Sequence, residues 1–251
     1  MIEFNQIHFG YPEAEELFSG FSWTVKGEES WAVLGPSGCG KTSLLHPDQG
    51  NVIIEKQPVL RPRPETGLIL QDYGLLPWAT VRGNIELGMK IRSFYGPDGT
   101  HAPRIEQSLD DVDTWLNLLG IQHLAEKYPA QISGGERQRA AIARTLILDP
   151  DLLLMDEPLA SLDAPTRASL QDVLLGLREK HHLTLITVTH TIEEAAVLGE
   201  KILLLGKPPH RKPSVIDNPQ GGKPGYRGCS DYYQLISELE DRLSLQREEG
   251  K

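Results

Sequence analysis

An apolar run, Trp31 to Leu34, leads straight into Gly35-Pro36-Ser37-Gly38-Cys39-Gly40-Lys41-Thr42-Ser43. The spacing is G-x-x-x-x-G-K-[ST], which requires a strand before it and a helix after it, and so points to an α/β fold with a mostly parallel sheet. Its glycines let the backbone wrap a phosphate closely. The N–H groups at the start of the next helix point at the anion and favour its charge. Such a loop takes a nucleoside triphosphate, ATP or GTP. Lys41 would reach the β- and γ-phosphates, the Thr42 hydroxyl would sit on Mg²⁺, and Ser43 would donate to the α-phosphate. The plainer alternative is a glycine turn that happens to precede Lys-Thr.

Roughly a hundred residues on, Leu152 to Met155 forms a short apolar run ending in Asp156 and Glu157. Its length and composition predict a buried parallel strand that delivers two acids to a sheet edge. Asp156 suits the Mg²⁺ shell. Glu157 is the candidate base, because a carboxylate beside the metal can orient and polarise the water that attacks the γ-phosphate. Taken alone, the same pair reads as a solvated helix start.

The intervening stretch Ile132-Ser133-Gly134-Gly135-Glu136-Arg137-Gln138-Arg139 decides how the two are read. It resembles the LSGGQ signature of ATP-binding cassette (ABC) proteins, with Ile for Leu and Glu for Gln. The physical logic is again a helix N-terminus. The Ser133 hydroxyl and the Gly134 and Gly135 N–H groups would form an anion site supported by the helix dipole.

Four further residues match that family in order, so the resemblance spans nearly the whole chain. Gln71, after the predicted strand Gly67 to Leu70, resembles the glutamine that contacts Mg²⁺ and the attacking water. Asp163, in Ser161-Leu162-Asp163, resembles the loop that crosses to a second subunit. His190, closing the predicted strand Leu183 to Thr189, resembles the histidine that contacts the γ-phosphate. Tyr11, in Phe9-Gly-Tyr-Pro, resembles the aromatic on which adenine stacks. The resemblance implies ATP and Mg²⁺ as cofactors. It also implies a head-to-tail pair of cassettes, each ATP lying between the glycine loop of one chain and the Ser133-Gly134-Gly135 cap of the other.

Charge and composition set limits. With 35 acidic and 25 basic residues, net −10, the chain has no general electrostatic footprint for nucleic acid. Arg137, Arg139 and Arg144 lie at helical spacing, and nucleotide binding and packing account for them better than nucleic acid does. Two cysteines argue for a reducing compartment rather than a disulfide framework, and Cys39 reads as a small loop residue rather than a nucleophile. No apolar stretch approaches the roughly 20 residues that span a bilayer, and Met1-Ile-Glu-Phe-Asn lacks a signal-peptide pattern. Membrane contact is therefore expected through a partner.

The organisation expected is a single ABC ATPase domain over 1–251. Residues 1–72 and 150–206 would form the nucleotide-binding core with an antiparallel β-subdomain, 73–149 the helical subdomain that carries the signature, and 207–251 a C-terminal extension. Within the helical part, Ile105, Leu109, Val112, Leu116 and Leu119 fall at three- and four-residue steps over Arg104 to Leu119, and Tyr95 to Thr100 supplies turn chemistry. Gly206 to Gly228 reads as an irregular connection. A last helix is expected from near Ser230, with Tyr232, Leu235, Ile236, Leu239 and Leu243 on its buried face.

One stretch departs from the family. After Leu44-Leu45-His46 the helix that follows the glycine loop normally continues for about seven more residues, roughly two turns or about 10 Å, before a turn like Pro47-Asp-Gln-Gly50. Three explanations stand side by side: a tolerated shortening, a nucleotide-binding subunit with impaired hydrolysis, or an error in the recorded sequence.

The separate cassette without a fused membrane domain resembles the ATPase subunit of a bacterial importer. Tyr73-Gly-Leu-Leu-Pro-Trp78, Ala79 to Asn84 and Gly206-Lys-Pro-Pro-His-Arg211 look most like the nitrate, sulfonate and taurine importers. The partners implied are transmembrane permease subunits, an extracytoplasmic solute-binding protein reached through the complex, and a second cassette, identical or paired. The location implied is peripheral, at the cytoplasmic face of the membrane. A soluble, non-transport ABC ATPase is the competing class. Such proteins usually carry tandem cassettes or coiled-coil inserts, and the chain shows neither.

Overall fold

The computed structural model describes residues 1–11, 16–36, 38–41, 49–60, 63–95, 110–160, 162–223 and 225–248. Ser37, Thr42, Ser43, Ser161, the turn residues 96–100, the helix expected after the loop over 42–46, and Ile105 and Leu109 lie outside the described residues. The chain divides into two compact units, Met1–Arg61 with Leu183–Lys251, and Pro62–His182.

The first unit holds two sets of strands. β1 (Ile2–Gly10), β2 (Glu16–Val25), β4 (Gln49–Ile54) and β5 (Gln57–Pro58) form an antiparallel sheet in the order β2-β1-β4-β5. It is held on one face by aromatic contacts, with Phe4 stacked on Trp23 at 4.9 Å, and Phe18 meeting Phe21 edge-on at 5.3 Å. The antiparallel β-subdomain expected within the nucleotide-binding core is thus present. β4 starts at Gln49, inside the stretch Pro47 to Gly50 that reads as a turn in the sequence.

β3 (Ser30–Leu34) lies in parallel between β8 (Thr184–Thr189) and β9 (Lys201–Leu204). Every residue of β3 and β8 is buried, as expected of parallel strands covered on both faces. α5 (Ile192–Leu198) and α6 (Ser230–Glu248) pack on this layer. Leu235 and Leu239 of α6 join Ala32, Leu34, Ala196 and Ile202 in one core cluster, with Tyr232, Ile236 and Leu243 packed against it. This is the face the sequence periodicity predicts for the last helix.

The segment after Gly206 corrects the sequence reading, which expected only irregular chain. β10 (Ser214–Asp217) pairs antiparallel with β9, burying Ile216 and leaving Val215 exposed. A four-residue strand between Pro213 and Pro219 offers too short an alternation to register as a strand from sequence alone.

The second unit pairs β6 (Thr66–Ile69) in parallel with β7 (Leu152–Asp156), and adds α1 (Val81–Tyr95), α2 (Asp110–Leu118), α3 (Gly134–Leu146) and α4 (Ala164–His181). Val112, Leu116 and Leu119 are buried, as their spacing requires. Among the described residues no helix is long and apolar enough to cross a membrane.

Candidate functional site

In the first unit, β3 and β8 run in register to Leu34 opposite Thr189, so Gly35 and His190 both leave the carboxyl edge of the same strand pair. Ligands of parallel sheets bind at that edge, where strands turn into loops. His190 is exposed there. Just behind it, the Thr189 hydroxyl donates to the buried Glu194 carboxylate at 2.6 Å and accepts from the Thr191 N–H at 3.0 Å, which fixes the turn into α5.

The glycine loop is shaped by close approach. A Cβ at Gly35 would lie 2.4 Å from the Leu205 carbonyl oxygen, and one at Gly40 would lie 2.9 Å from the Phe18 ring, with φ there at +98°. No other residue type fits either place without moving backbone or core. Lys41 is 6% exposed, and its ammonium donates to the carbonyls of Gly35 at 3.0 Å and Pro36 at 2.9 Å. The cation is thus held over the loop by oxygen acceptors that phosphate oxygens can replace. Burial pushes the Cys39 thiol up, and the side chain is enclosed, so it behaves as an inert packing group. Gly38, at φ +83°, faces open space. Tyr11 follows β1 and is 57% exposed, its ring perpendicular to that of Phe9 at 5.2 Å.

In the second unit, Ile69 pairs with Met155, so Gln71 and the Asp156-Glu157 pair also leave one carboxyl edge together. Gln71 is exposed, and Asp156 and Glu157 are half-buried. Glu157 has φ +46°, a left-handed backbone in a residue other than glycine. Strain of this kind persists where the surroundings over-determine a side chain's direction. The donors gathered here are hard oxygens, a carboxylate and an amide carbonyl. They suit Mg²⁺, which keeps several waters and needs few protein ligands.

The turn after Gln71 is held from α3. The Arg144 guanidinium, largely buried, donates to the carbonyls of Gly74 at 2.5 Å and Tyr73 at 3.0 Å, closing a turn in which both residues have positive φ. Beyond it, the fully buried Asn84 takes the Leu76 N–H at 2.7 Å and donates to the carbonyls of Leu76, Ala79 and Thr80 at 3.0–3.1 Å. Trp78 is held at the tip of this segment, 74% exposed.

The signature stretch begins α3. The Ser133 Oγ accepts from the Glu136 N–H and donates to the Glu136 carboxylate at 2.8 Å, while the Ser133 N–H donates to the same carboxylate at 2.7 Å. This capping box holds the Glu136 carboxyl below the usual range, the Ser133 N–H contributing most. The hydroxyl expected to face an anion is therefore engaged within its own helix start. Gly135 is packed onto the start of α4, where a Cβ would lie 2.7 Å from Thr166 Cγ2. Asp163 is the N-cap of α4, accepting from the Thr166 N–H at 3.4 Å, and bonds from Thr166 hold its carboxyl low. The structure thus brings Ser133, Gly134 and Gly135 beside the Asp163 end of α4. Arg144 and Asn84 brace these loops in a way the sequence does not show, where Arg144 reads only as one of three arginines at helical spacing and Asn84 as the end of a family-like stretch. Each is a side chain aimed at backbone, and one sequence carries no signal of that.

The sequence profile described as ABC transporter matches residues 18–160. The chain belongs to the ABC transporter family. In it the cassette described above is the ATP-binding, ATP-hydrolysing subunit. Among curated relatives, the aliphatic sulfonates import ATP-binding protein SsuB of Bacillus cereus is 38% identical over 210 residues, covering 81% of this cassette and 79% of the relative. The bicarbonate transport ATP-binding protein CmpC of Synechococcus elongatus is 37% identical over 241 residues, covering 91% of this cassette but only 35% of that longer protein. Among solved structures, the cassette MJ0796 in a dimeric post-hydrolysis state bound to ADP and Pi aligns with a TM-score of 0.70 at 28% identity, covering 82% of this cassette and 94% of that chain. The cbiO1 structure from Clostridium perfringens aligns over 98% of both chains with a TM-score of 0.72 at 20% identity, a likeness of fold.

Proposed function

We propose that this cassette drives uptake of a small oxyanion through a membrane permease, closing on ATP as a head-to-tail dimer and reopening after hydrolysis. The observation that carries the reading is that the motif residues leave the carboxyl ends of parallel strands in both units, Gly35 with His190, and Gln71 with Asp156 and Glu157. The solute class is supported by the relatives named for sulfonate and bicarbonate transport, and by the likeness of the Tyr73 to Trp78 stretch to nitrate, sulfonate and taurine importers. The exposed Trp78, on a segment fixed from behind, supports docking of a permease there.

In this reading Tyr11 stacks on adenine, and Lys41 with the amides of Gly35, Pro36, Ser37, Gly38, Cys39 and Gly40 holds the phosphates. Thr42, Asp156 and Gln71 hold Mg²⁺, which when bound neutralises charge on the phosphate oxygens. Ser43 donates to the α-phosphate. Glu157 orients the attacking water, and His190 and Gln71 sense the γ-phosphate. Ser133, Gly134, Gly135 and Asp163 act on the nucleotide held by the partner cassette, so each dimer contains two composite sites. The protein is peripheral at the cytoplasmic face, and a solute-binding protein reaches it through the permease.

Sedimentation of the Glu157→Gln protein with and without ATP tests the clamp directly, since loss of the oriented carboxylate stops hydrolysis while the phosphate cradle remains. A shift from monomer to dimer on ATP is expected. ATP binding without dimerisation would argue for a subunit with an impaired clamp. No ATP binding would remove the site assignment.

A further inference from the structure

His210 belongs to the Gly206-Lys-Pro-Pro-His-Arg211 stretch, which none of the nucleotide chemistry above uses. It is 8% exposed, and its Nε2 lies 2.9 Å from the carbonyl oxygen of Cys39, in the middle of the glycine loop. A carbonyl can only accept, so this nitrogen carries the proton. The backbone beneath the ring is clamped on both sides of Phe18. The His210 N–H donates to the Leu17 carbonyl at 2.8 Å, and the His210 carbonyl accepts from the Ser19 N–H at 3.0 Å. The imidazole also packs 5.2 Å from the Phe18 ring, the ring that excludes any side chain at Gly40.

We propose that His210 is a positioning residue of the nucleotide site, setting the direction of the peptide between Cys39 and Gly40. In a trans peptide the C=O and the following N–H point in opposite directions. Holding the Cys39 carbonyl toward His210 therefore turns the Gly40 N–H to the opposite side of the loop. Gly40, at φ +98°, is free of the steric limits that would otherwise keep this peptide in place, so the loop needs an external hold. His210 supplies it from a backbone tied to β2. Burial keeps the ring neutral below its ordinary titration range, which leaves one nitrogen protonated for this bond. The inference rests on the reading of Gly35 to Lys41 as the phosphate site.

Equilibrium binding of MgATP to the full chain tests it, with His210→Met, which fills the space without a donor, and His210→Gln, which returns an N–H at similar reach. Loss of one hydrogen bond predicts that Met weakens ATP binding about five- to tenfold, and that Gln restores it to within about twofold. Comparable binding by the Met variant overturns the proposal, as does a Gln variant as weak as Met, because packing alone would then explain the effect. Should the Met variant fail to fold, nitrogen-15 NMR of the unmutated chain decides. A neutral His210 protonated at Nε2 is expected, and protonation at Nδ1 alone overturns the assignment. If the unmutated chain binds no ATP, the phosphate-site reading falls with it. Normal ATP binding that Lys41→Ala abolishes and His210→Met leaves unchanged removes only the His210 proposal.

Discussion

A methyl group added at Gly135 would lie 2.7 Å from Thr166 Cγ2, while one added at Gly134 finds its nearest neighbour at 3.8 Å. The two glycines are equivalent in the signature motif, yet only one is demanded by packing. Gly135→Ala is expected to destabilise by about 1–3 kcal/mol, since α3 or α4 must give way. Gly134→Ala, in the first turn of α3, should be neutral or stabilising by roughly 0.5 kcal/mol in thermal unfolding. Any loss of ATP-driven dimerisation in Gly134→Ala then reports on approach of the partner's nucleotide rather than on fold. At Lys41 the expectation is opposite in kind. Lys41→Ala removes a cation whose present partners are loop carbonyls, so stability should change little while MgATP affinity falls by at least about a hundredfold, read by calorimetry.

At the level of elements, the segment between β6 and α1 is held by two side chains that reach backbone. Asn84→Ala would strip the Leu76 N–H and the Ala79 carbonyl of this partner, while the carbonyls of Leu76 and Thr80 keep the backbone N–H groups of residues 79 and 84, and is expected to cost on the order of 2–4 kcal/mol. Limited proteolysis should then cut between Leu75 and Thr80 before the rest of the chain. The elements themselves were largely legible in the sequence, because buried parallel strands such as Ser30–Leu34 and Thr184–Thr189 are short runs of apolar and β-branched residues free of charge and next to turn residues. β10 was not, because its pairing with β9 is a long-range fact and its own four residues carry too little pattern. The candidate site residues stand out in the sequence for a different reason. Phosphate binding requires glycine, lysine and hydroxyl at fixed offsets, whereas the residues that brace them, Arg144, Asn84 and His210, meet backbone from a distance in sequence and obey no spacing.

For the whole molecule, acid should act in two stages. Burial places the folded His210 imidazole below its ordinary range, so between that lowered value and about pH 6.5 the unfolded chain binds the extra proton. Stability contributed by this group is complete above pH 6.5 and is lost as pH falls through the folded value. Among the described residues seen to meet His210, Phe18 and Cys39 at the ring and Leu17 and Ser19 at its backbone, the Cys39 thiol is the one that titrates, and burial moves it up and away from this window. The carboxyls of Glu136, Asp163 and Glu29, held low by their hydrogen bonds, contribute stability present above about pH 4.5 and lost below it. Thermal unfolding from about pH 8 to about pH 2.5 should therefore show a decline starting near pH 6.5 and a second below about pH 4.5, and His210→Gln should flatten the first while leaving the second. The grip of Arg144 and Asn84 on carbonyls and amides has one further consequence. Because both grips fall on backbone, the shape of the segment owes little to which side chain stands at its exposed tip, Trp78. Under the docking proposed above, substitution at that tip would rewrite the vocabulary of the surface offered to a permease without the loop losing its shape.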